Sequence, residues 1–446
     1  MADARSTKVP RCVVLYSHSW LPGQVDGVAV RMMAHTRELV KRGVKVVVMT
    51  PDFVCDDEQA TSPVPLESIA GVAEHIRLKT AWVPVYRKNK CLQMSLENLR
   101  TVCEVLQRTK PDYLHATQEA SLQVLACAAM LCDIPLVISM HTDVIQIAIS
   151  DAGFSSFLGS GTLGRIHTRI AMAFVNWGYR NWASSGGNFF TVSKQARIML
   201  KNAGVVEHRV APGIWGPMVD RETFRIDLPE AKVQEKRRKL TFGLENAFLL
   251  VYVGRVTAEK DVQFLVDALD RAPSNVVLAI VGNGSMVKDL KERHGKENRL
   301  HCDGEFMGRE EVALSMRASD ACVSASTMET IGFTAMEALS CGTPMLAVNA
   351  QGFAEHLQHG VNARLWKPYD TDSFDAELAA LMKTERTGSW SAEGLRNSMA
   401  EASVVACTDR VLAAYQHASL PAWRRLRCLV AMFFFFINWF FSWFIR

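Results

Sequence analysis

One stretch constrains this chain more than any other: Ser326-Thr-Met-Glu329-Thr-Ile-Gly332-Phe-Thr-Ala-Met-Glu337-Ala-Leu-Ser-Cys-Gly342-Thr-Pro344. It lies between two short apolar runs, Ala321–Ser324 and Met345–Val348, which read as buried parallel strands. A helix of about Gly332 to Cys341 joins them; Gly342 ends it, and Pro344 blocks any continuation. Glu329 then sits on the loop at the carboxyl end of a strand, and Glu337 one to two turns inside the helix. Open α/β sheets bind ligands at that edge, where a helix N-terminus also attracts anions. Two carboxylates beside an anion site suit a ligand with both phosphate and hydroxyls, as a nucleotide-sugar has. Two solvated glutamates on an amphipathic helix are the other reading of the same spacing.

At 446 residues, with 49% apolar and 22% charged, the chain has the size and composition of two α/β domains with full cores. A net charge of +4 argues against a nucleic-acid partner, and the basic run Lys236-Arg-Arg-Lys239 sits among mixed charges as a solvated face. Eleven cysteines without a C-x-x-C pair fit reduced thiols on a cytosolic or stromal side. Met1 to Pro10 is polar and short, and is expected to be neither a signal peptide nor a transit peptide.

Arg11–Tyr16 and Val44–Met49 read as strands around a helix ending near Arg42, a βαβ unit without G-x-G-x-x-G. The loop between them carries Asp26-Gly27, whose amides can approach a phosphate or simply make a turn. Tyr113–His115, Leu136–Met140 and Phe189–Ser193 are further strands. His141 follows the second of these, placed either to bond a sugar hydroxyl or to cap its loop through a backbone carbonyl. Arg165, Arg169, Phe174, Trp177, Arg180 and Trp182 lie on a helix that faces lipid headgroups or packs on its own domain. Arg225–Gly243 reads as a solvated helix and linker.

Ala247–Val253 is the next strand, followed by Gly254-Arg255-Val-Thr257-Ala-Glu-Lys260. Thr257 is expected to cap a helix whose start Arg255 and Lys260 flank, aiming two cations at a diphosphate. Val276–Val281 leads into Gly282-Asn-Gly284, a tight turn. Asp370-Thr-Asp372 either holds Mg²⁺ or caps the helix that follows; the cap is preferred, and no metal is expected. Beyond Pro421, three arginines precede about eighteen apolar residues, Cys428 to Ile445, read as a membrane anchor that spans the bilayer or lies in its interface.

The E-x7-E arrangement, the Gly-Arg-x-x-x-x-Lys phrase, His141 and the turn Asn349-Ala-Gln351-Gly352-Phe-Ala-Glu355 fall in the order that resembles retaining family 4 glycosyltransferases. The resemblance covers residues 11 to 420 and implies the GT-B fold, an α/β architecture of two Rossmann-like domains facing across a cleft. It places the N-terminal acceptor domain at 11–207, a linker at 208–246, the nucleotide-sugar domain at 247–390, cross-over helices at 391–420 and the anchor at 424–446. It also assigns roles. His141, Glu329, Arg255 and Lys260 are catalytic. Asp26, Gly27, Gly254, Gly282, Gly284, Thr330, Ile331, Gly332, Phe333 and Glu337 bind substrate, Glu329 at the sugar and Glu337 at the ribose. Gln351 and Met218 stand where the family commonly has glycine. The phrases from Val253 to Glu355 resemble sulfoquinovosyl diacylglycerol synthases, whereas Val25-Asp-Gly27-Val resembles mannosyltransferases using GDP-mannose. The implied reaction moves a hexosyl group from a UDP- or GDP-linked donor to a membrane lipid. A catalytically silent nucleotide-sugar binder is the non-enzyme alternative, and the missing glycine fingerprint disfavours a dehydrogenase.

Overall fold

A computed structural model describes residues 9–21, 27–52, 66–83, 86–119, 121–141, 162–294, 299–302, 304–305, 307–329, 331–386, 388 and 390–420, with six positions between 426 and 436. The chain forms two compact units, Met1–Trp215 with Thr408–Arg446, and Gly216–Cys407.

The first unit runs β1 (Cys12–Tyr16), α1 (Gly27–Lys41), β2 (Lys45–Pro51), β3 (Glu74–Leu78), β4 (Thr80–Val83), β5 (Tyr86–Leu92), α2 (Leu96–Thr109), β6 (Tyr113–Thr117), α3 (Gln123–Cys132), β7 (Leu136–Met140), α4 (Thr162–Ser184), β8 (Gly187–Thr191) and α5 (Lys194–Asn202). Its sheet is parallel, in the order β3-β2-β1-β6-β7-β8, with β4 and β5 as a separate antiparallel pair. Every residue of β1 and β7 is buried, as strands covered on both faces require. The strand expected at Phe189–Ser193 sits two residues earlier as β8, because Ser193 leaves the sheet to cap α5, its hydroxyl accepting from the Ala196 amide at 3.2 Å. The second half of α4 belongs to the core: Tyr179 and Trp182 are buried, with Tyr179 edge-on to Phe189. Arg169 and Met172 are exposed, and the side chains of Arg165 and Phe174 lie outside the described residues.

The second unit holds α6 (Glu230–Leu240), β9 (Phe248–Val253), α7 (Val262–Arg271), β10 (Val276–Val281), α8 (Val287–His294), β11 (Leu300–Cys302), α9 (Arg309–Ala318), β12 (Ala321–Ser324), α10 (Phe333–Ser340), β13 (Met345–Val348), α11 (Gln351–His356), β14 (Ala363–Trp366), α12 (Thr371–Arg386) and α13 (Ala392–Asn397). Its sheet is also parallel, ordered β11-β10-β9-β12-β13-β14. A last helix, α14 (Val404–His417), carries the chain back into the first unit at Thr408.

The segment read as a linker is packed rather than free. Phe224 is buried, the Val219 amide donates to the Ala402 carbonyl at 2.8 Å, and Arg396 donates to the carbonyls of Arg221, Phe224 and Ser340 at 2.6–3.0 Å. Within α6, Val233 and Leu240 are buried and Arg237 pairs with Asp320 at 2.8 Å. Met218 does not adopt positive φ, so the glycine common at its place in relatives is not needed for backbone reasons. Among the described residues no helix is long and apolar enough to cross a membrane; the apolar tail read as an anchor lies almost wholly outside them.

Gln351 stands where the family commonly has glycine. Glycine is replaceable there only if φ stays negative, yet Gln351 has φ +40°. A β-carbon in the left-handed region costs about 1–2 kcal/mol, partly offset by the extra freedom glycine would bring to the unfolded chain. Gln351→Gly is therefore expected to stabilise the second unit by about 0.5–1 kcal/mol, seen as a thermal midpoint higher by about 2 °C; a lower midpoint refutes the strain.

Candidate active site

Counted within its own six-stranded sheet, each order runs 3-2-1-4-5-6, so the direction of winding reverses between the first and fourth strands. Loops leaving the carboxyl ends of those two strands splay apart and leave room for a ligand. In the second unit the pair is β9 and β12, and their loops carry Gly254–Lys260 and Ala325–Glu329. Lys260 and Glu329 meet across this point, Nζ to Oε1 at 2.5 Å, with side chains only 17% and 22% exposed. Residues 69 positions apart are thus joined where a ligand would enter.

Arg255 is on the same loop but differently placed. Its side chain is 68% exposed and pairs with Glu259 at 2.6 Å, a solvent-facing bond that a phosphate can replace at little cost. The local path also differs from the expected cap. Ala258–Lys260 is a single 3-10 turn, Asp261 at φ +50° breaks it, and α7 starts only at Val262. The Thr257 side chain makes no capping bond.

The glycines have a packing role that spacing alone did not show. A Cβ on Gly282 would lie 1.9 Å from the Gly254 carbonyl oxygen, and one on Gly284 2.2 Å from that of Val256. These residues let the loops after β9 and β10 touch backbone to backbone. Gly254 is half-buried beneath Tyr252, whose hydroxyl donates to the Arg255 carbonyl at 2.7 Å.

On the other loop, Ile331 is buried, Gly332 adopts φ +73° at the start of α10, and Phe333 is half-buried. Thr330 and Asp26 fall outside the described residues, and Gly27 is the first residue of α1. Glu337 lies further along α10, partly exposed, with its carboxyl enclosed. Burial pushes that carboxyl up to about 7, against the pull of Arg309 and with a push from Asp220. Asp370 takes the capping role: its Oδ1 accepts from the Ser373 amide at 2.9 Å, ahead of α12.

In the first unit, His141 follows β7 and is 8% exposed. Its Nε2 bonds the Ser139 hydroxyl at 2.8 Å, not a backbone carbonyl, and its ring stands edge-on to Trp215 at 5.3 Å. Burial holds its pKa well below the usual range, and Arg31, His18 and His115 lower it further, so the imidazole is neutral at physiological pH.

Nothing in the residue pattern signals its neighbours. Arg31 is 1% exposed, with its guanidinium 5.1 Å from the Trp215 ring centre, in the middle of α1 where spacing reads as helix face. At the end of β6, the Thr117 hydroxyl meets the ring of His18, which follows β1, at 2.9 Å. Glu119 accepts from the Tyr16 hydroxyl and the Leu92 amide, and burial lifts its carboxyl to about 7.

The carboxyl of Glu337 makes stability depend on pH. Its folded pKa, about 7, exceeds the ordinary 4.5, so the folded state holds the proton more tightly. The stability this supplies is complete below about pH 4.5 and lost as pH rises through about 7. Glu337→Gln is expected to flatten the stability profile over that window and to raise the midpoint at pH 8. Denaturant unfolding at pH 5 and pH 8 checks it, and equal profiles in both proteins refute it.

Comparison with known proteins agrees with this arrangement unit by unit. The family model for Glycosyltransferase Family 4 matches residues 25–214, and that for Glycosyl transferases group 1 matches residues 233–403. A sulfoquinovosyl transferase of Arabidopsis thaliana is 24% identical over 432 residues, 95% of this chain and 77% of its own. An alpha-monoglucosyldiacylglycerol synthase of Streptococcus pneumoniae is 26% identical over 346 residues, covering 75% and 70%. Among solved structures, Anabaena HepE in complex with UDP superposes with a TM-score of 0.65 at 18% identity, over 90% of this chain and 98% of that one. Two domain matches in sequence order, on two parallel sheets wound alike, place the chain in the family 4 glycosyltransferases of the GT-B fold.

Proposed function

We propose that this enzyme is a retaining hexosyltransferase that moves a sugar from a nucleotide-linked donor to a membrane lipid, specifically sulfoquinovose from UDP-sulfoquinovose to diacylglycerol. The observation that carries the reading is the shielded Lys260–Glu329 pair at the second sheet's switch point. It offers a cation to a phosphate and a carboxylate to sugar hydroxyls within one bond length. The lipid acceptor is supported by two relatives whose names carry sulfoquinovosyl transfer and diacylglycerol. The nucleotide donor is supported by fold neighbours solved in complex with UDP and with UDP-glucose.

In this reading Arg255 and Lys260 neutralise the departing diphosphate together with the amides of the Gly254 loop, so that no metal is needed. Glu337 receives the ribose hydroxyls. Glu329 holds the sugar while its anomeric carbon gains oxocarbenium character, and neutral His141 is the first unit's group suited to a sugar hydroxyl. The bond from that carbon to the phosphate oxygen breaks. The acceptor oxygen bonds to the same face, and its proton passes to the leaving phosphate. The apolar tail after Arg427, together with the arginines before it, holds the protein at the membrane with both units on the reducing side.

The test is turnover of UDP-sulfoquinovose, UDP-glucose and GDP-mannose by the full chain on diacylglycerol vesicles, followed as labelled lipid. UDP-sulfoquinovose is expected to be used best, and Glu329→Ala to lower kcat by about 100-fold or more. Full activity in Glu329→Ala refutes the assigned chemistry. Nucleotide binding without turnover by wild type identifies a silent binder instead.

A further inference from the structure

The two switch-point loops of the second unit each leave one buried hydroxyl without a hydrogen-bond partner: Thr257 Oγ1 on the loop after β9 and Ser326 Oγ on the loop after β12. The first of these could have been satisfied locally. At Thr257, extended backbone (φ −132°, ψ 157°) precedes a helical turn, the usual setting for a capping hydroxyl. The Lys260 amide instead bonds the Thr257 carbonyl at 3.0 Å, and the hydroxyl is left over. Ser326 is fully buried; its amide faces the Ser324 hydroxyl at 3.5 Å, while its own hydroxyl bonds nothing. Most buried hydroxyls are paired, so two orphans on facing loops need an explanation.

We propose that these hydroxyls are ligands for the diphosphate of the nucleotide donor, donating to phosphoryl oxygens next to Lys260. The assignment rests on the transferase reading and extends its site. Three facts place it there. Thr257 is three residues from Lys260, Ser326 is three residues from Glu329, and the Lys260–Glu329 bond draws the two loops together. Phosphoryl oxygens are acceptors and a hydroxyl can supply the O–H they need, so orphan donors beside a cation match a diphosphate better than a sugar ring. The residues that follow Ser326, Thr327 to Glu329, are half-buried, so the loop reaches solvent within three residues of the buried hydroxyl.

A hydroxyl kept for a ligand has an unusual mutational signature. Its removal relieves an unsatisfied group in the free protein and weakens the complex. Thr257→Val keeps the shape, and Ser326→Ala removes one atom. In calorimetric titrations of the full chain, each is expected to weaken UDP at least fivefold, leave uridine affinity within twofold, and hold or raise the thermal midpoint. The assignment is overturned if both variants bind UDP as wild type does. It is also overturned if the midpoint falls by several degrees at unchanged UDP affinity, which is the behaviour of a hydroxyl that holds a structural water. A wild-type protein that binds neither UDP nor GDP overturns the transferase reading, and this assignment with it.

Discussion

The rim of the second sheet depends on one ion pair. Lys260 and Glu329 sit on loops that leave the neighbouring strands β9 and β12 where the sheet's winding reverses, and the pair joins those loops beyond the strand ends. Each charge is largely shielded from water, so either one alone would cost several kcal/mol. The pair therefore fixes the loops and also marks where a ligand can replace it. Phosphate competes with Glu329 for the ammonium, while hydroxyls compete with Lys260 for the carboxylate. A ligand bearing only one of these groups would strand a half-buried charge. A nucleotide-sugar carries both, and on the proposed reading this coupling favours the intact donor over its fragments.

The first unit is built on the opposite electrostatic principle. Its buried imidazoles are kept neutral: burial depresses His115 to about 3 and His35 and His141 well below the ordinary range. His115 and His35 both bond Tyr415 of α14, at 2.9 and 3.4 Å, so the returning helix seals this cluster from water. Arg31, against Trp215, adds to the lowering at His35 and His141. Such groups exchange hydrogen bonds with hydroxyls without adding charge. A neutral His141 is therefore suited to holding a sugar whose anomeric carbon turns positive, as the proposed reaction requires.

Much of this was legible from residue pattern, and the failures have physical causes. Continuous apolar runs such as Cys12–Tyr16 and Val276–Val281 announce strands buried on both faces, and alternation with helical segments announces parallel sheets. The paired glutamates and the Arg255–Lys260 phrase located the rim because both lie next to strand ends. Pattern could not show that Lys260 and Glu329 bond one another, since the partners are 69 residues apart and the bond is set by strand order. Arg31 was invisible because a basic residue on an amphipathic helix reads as surface, whereas here it is buried against the Trp215 ring. The cap expected from Thr257 fails because a backbone carbonyl outcompetes its hydroxyl.

The glycines show how main chain comes to support charge. Gly352 donates its amide to the Glu329 carbonyl at 2.7 Å, and a Cβ there would lie 2.6 Å from that oxygen. A Cβ on Gly332 would lie 2.5 Å from the Phe353 ring. The 329–332 and 350–353 segments can approach this closely only because each contains a glycine, and Gln351 is carried into the left-handed region between them. Glu329 is thus fixed twice, its main chain by Gly352 and its carboxylate by Lys260. A loop held only by the ion pair would be released when a ligand displaces Lys260. With the main chain anchored independently, the carboxylate can exchange its ammonium partner for sugar hydroxyls while staying in place.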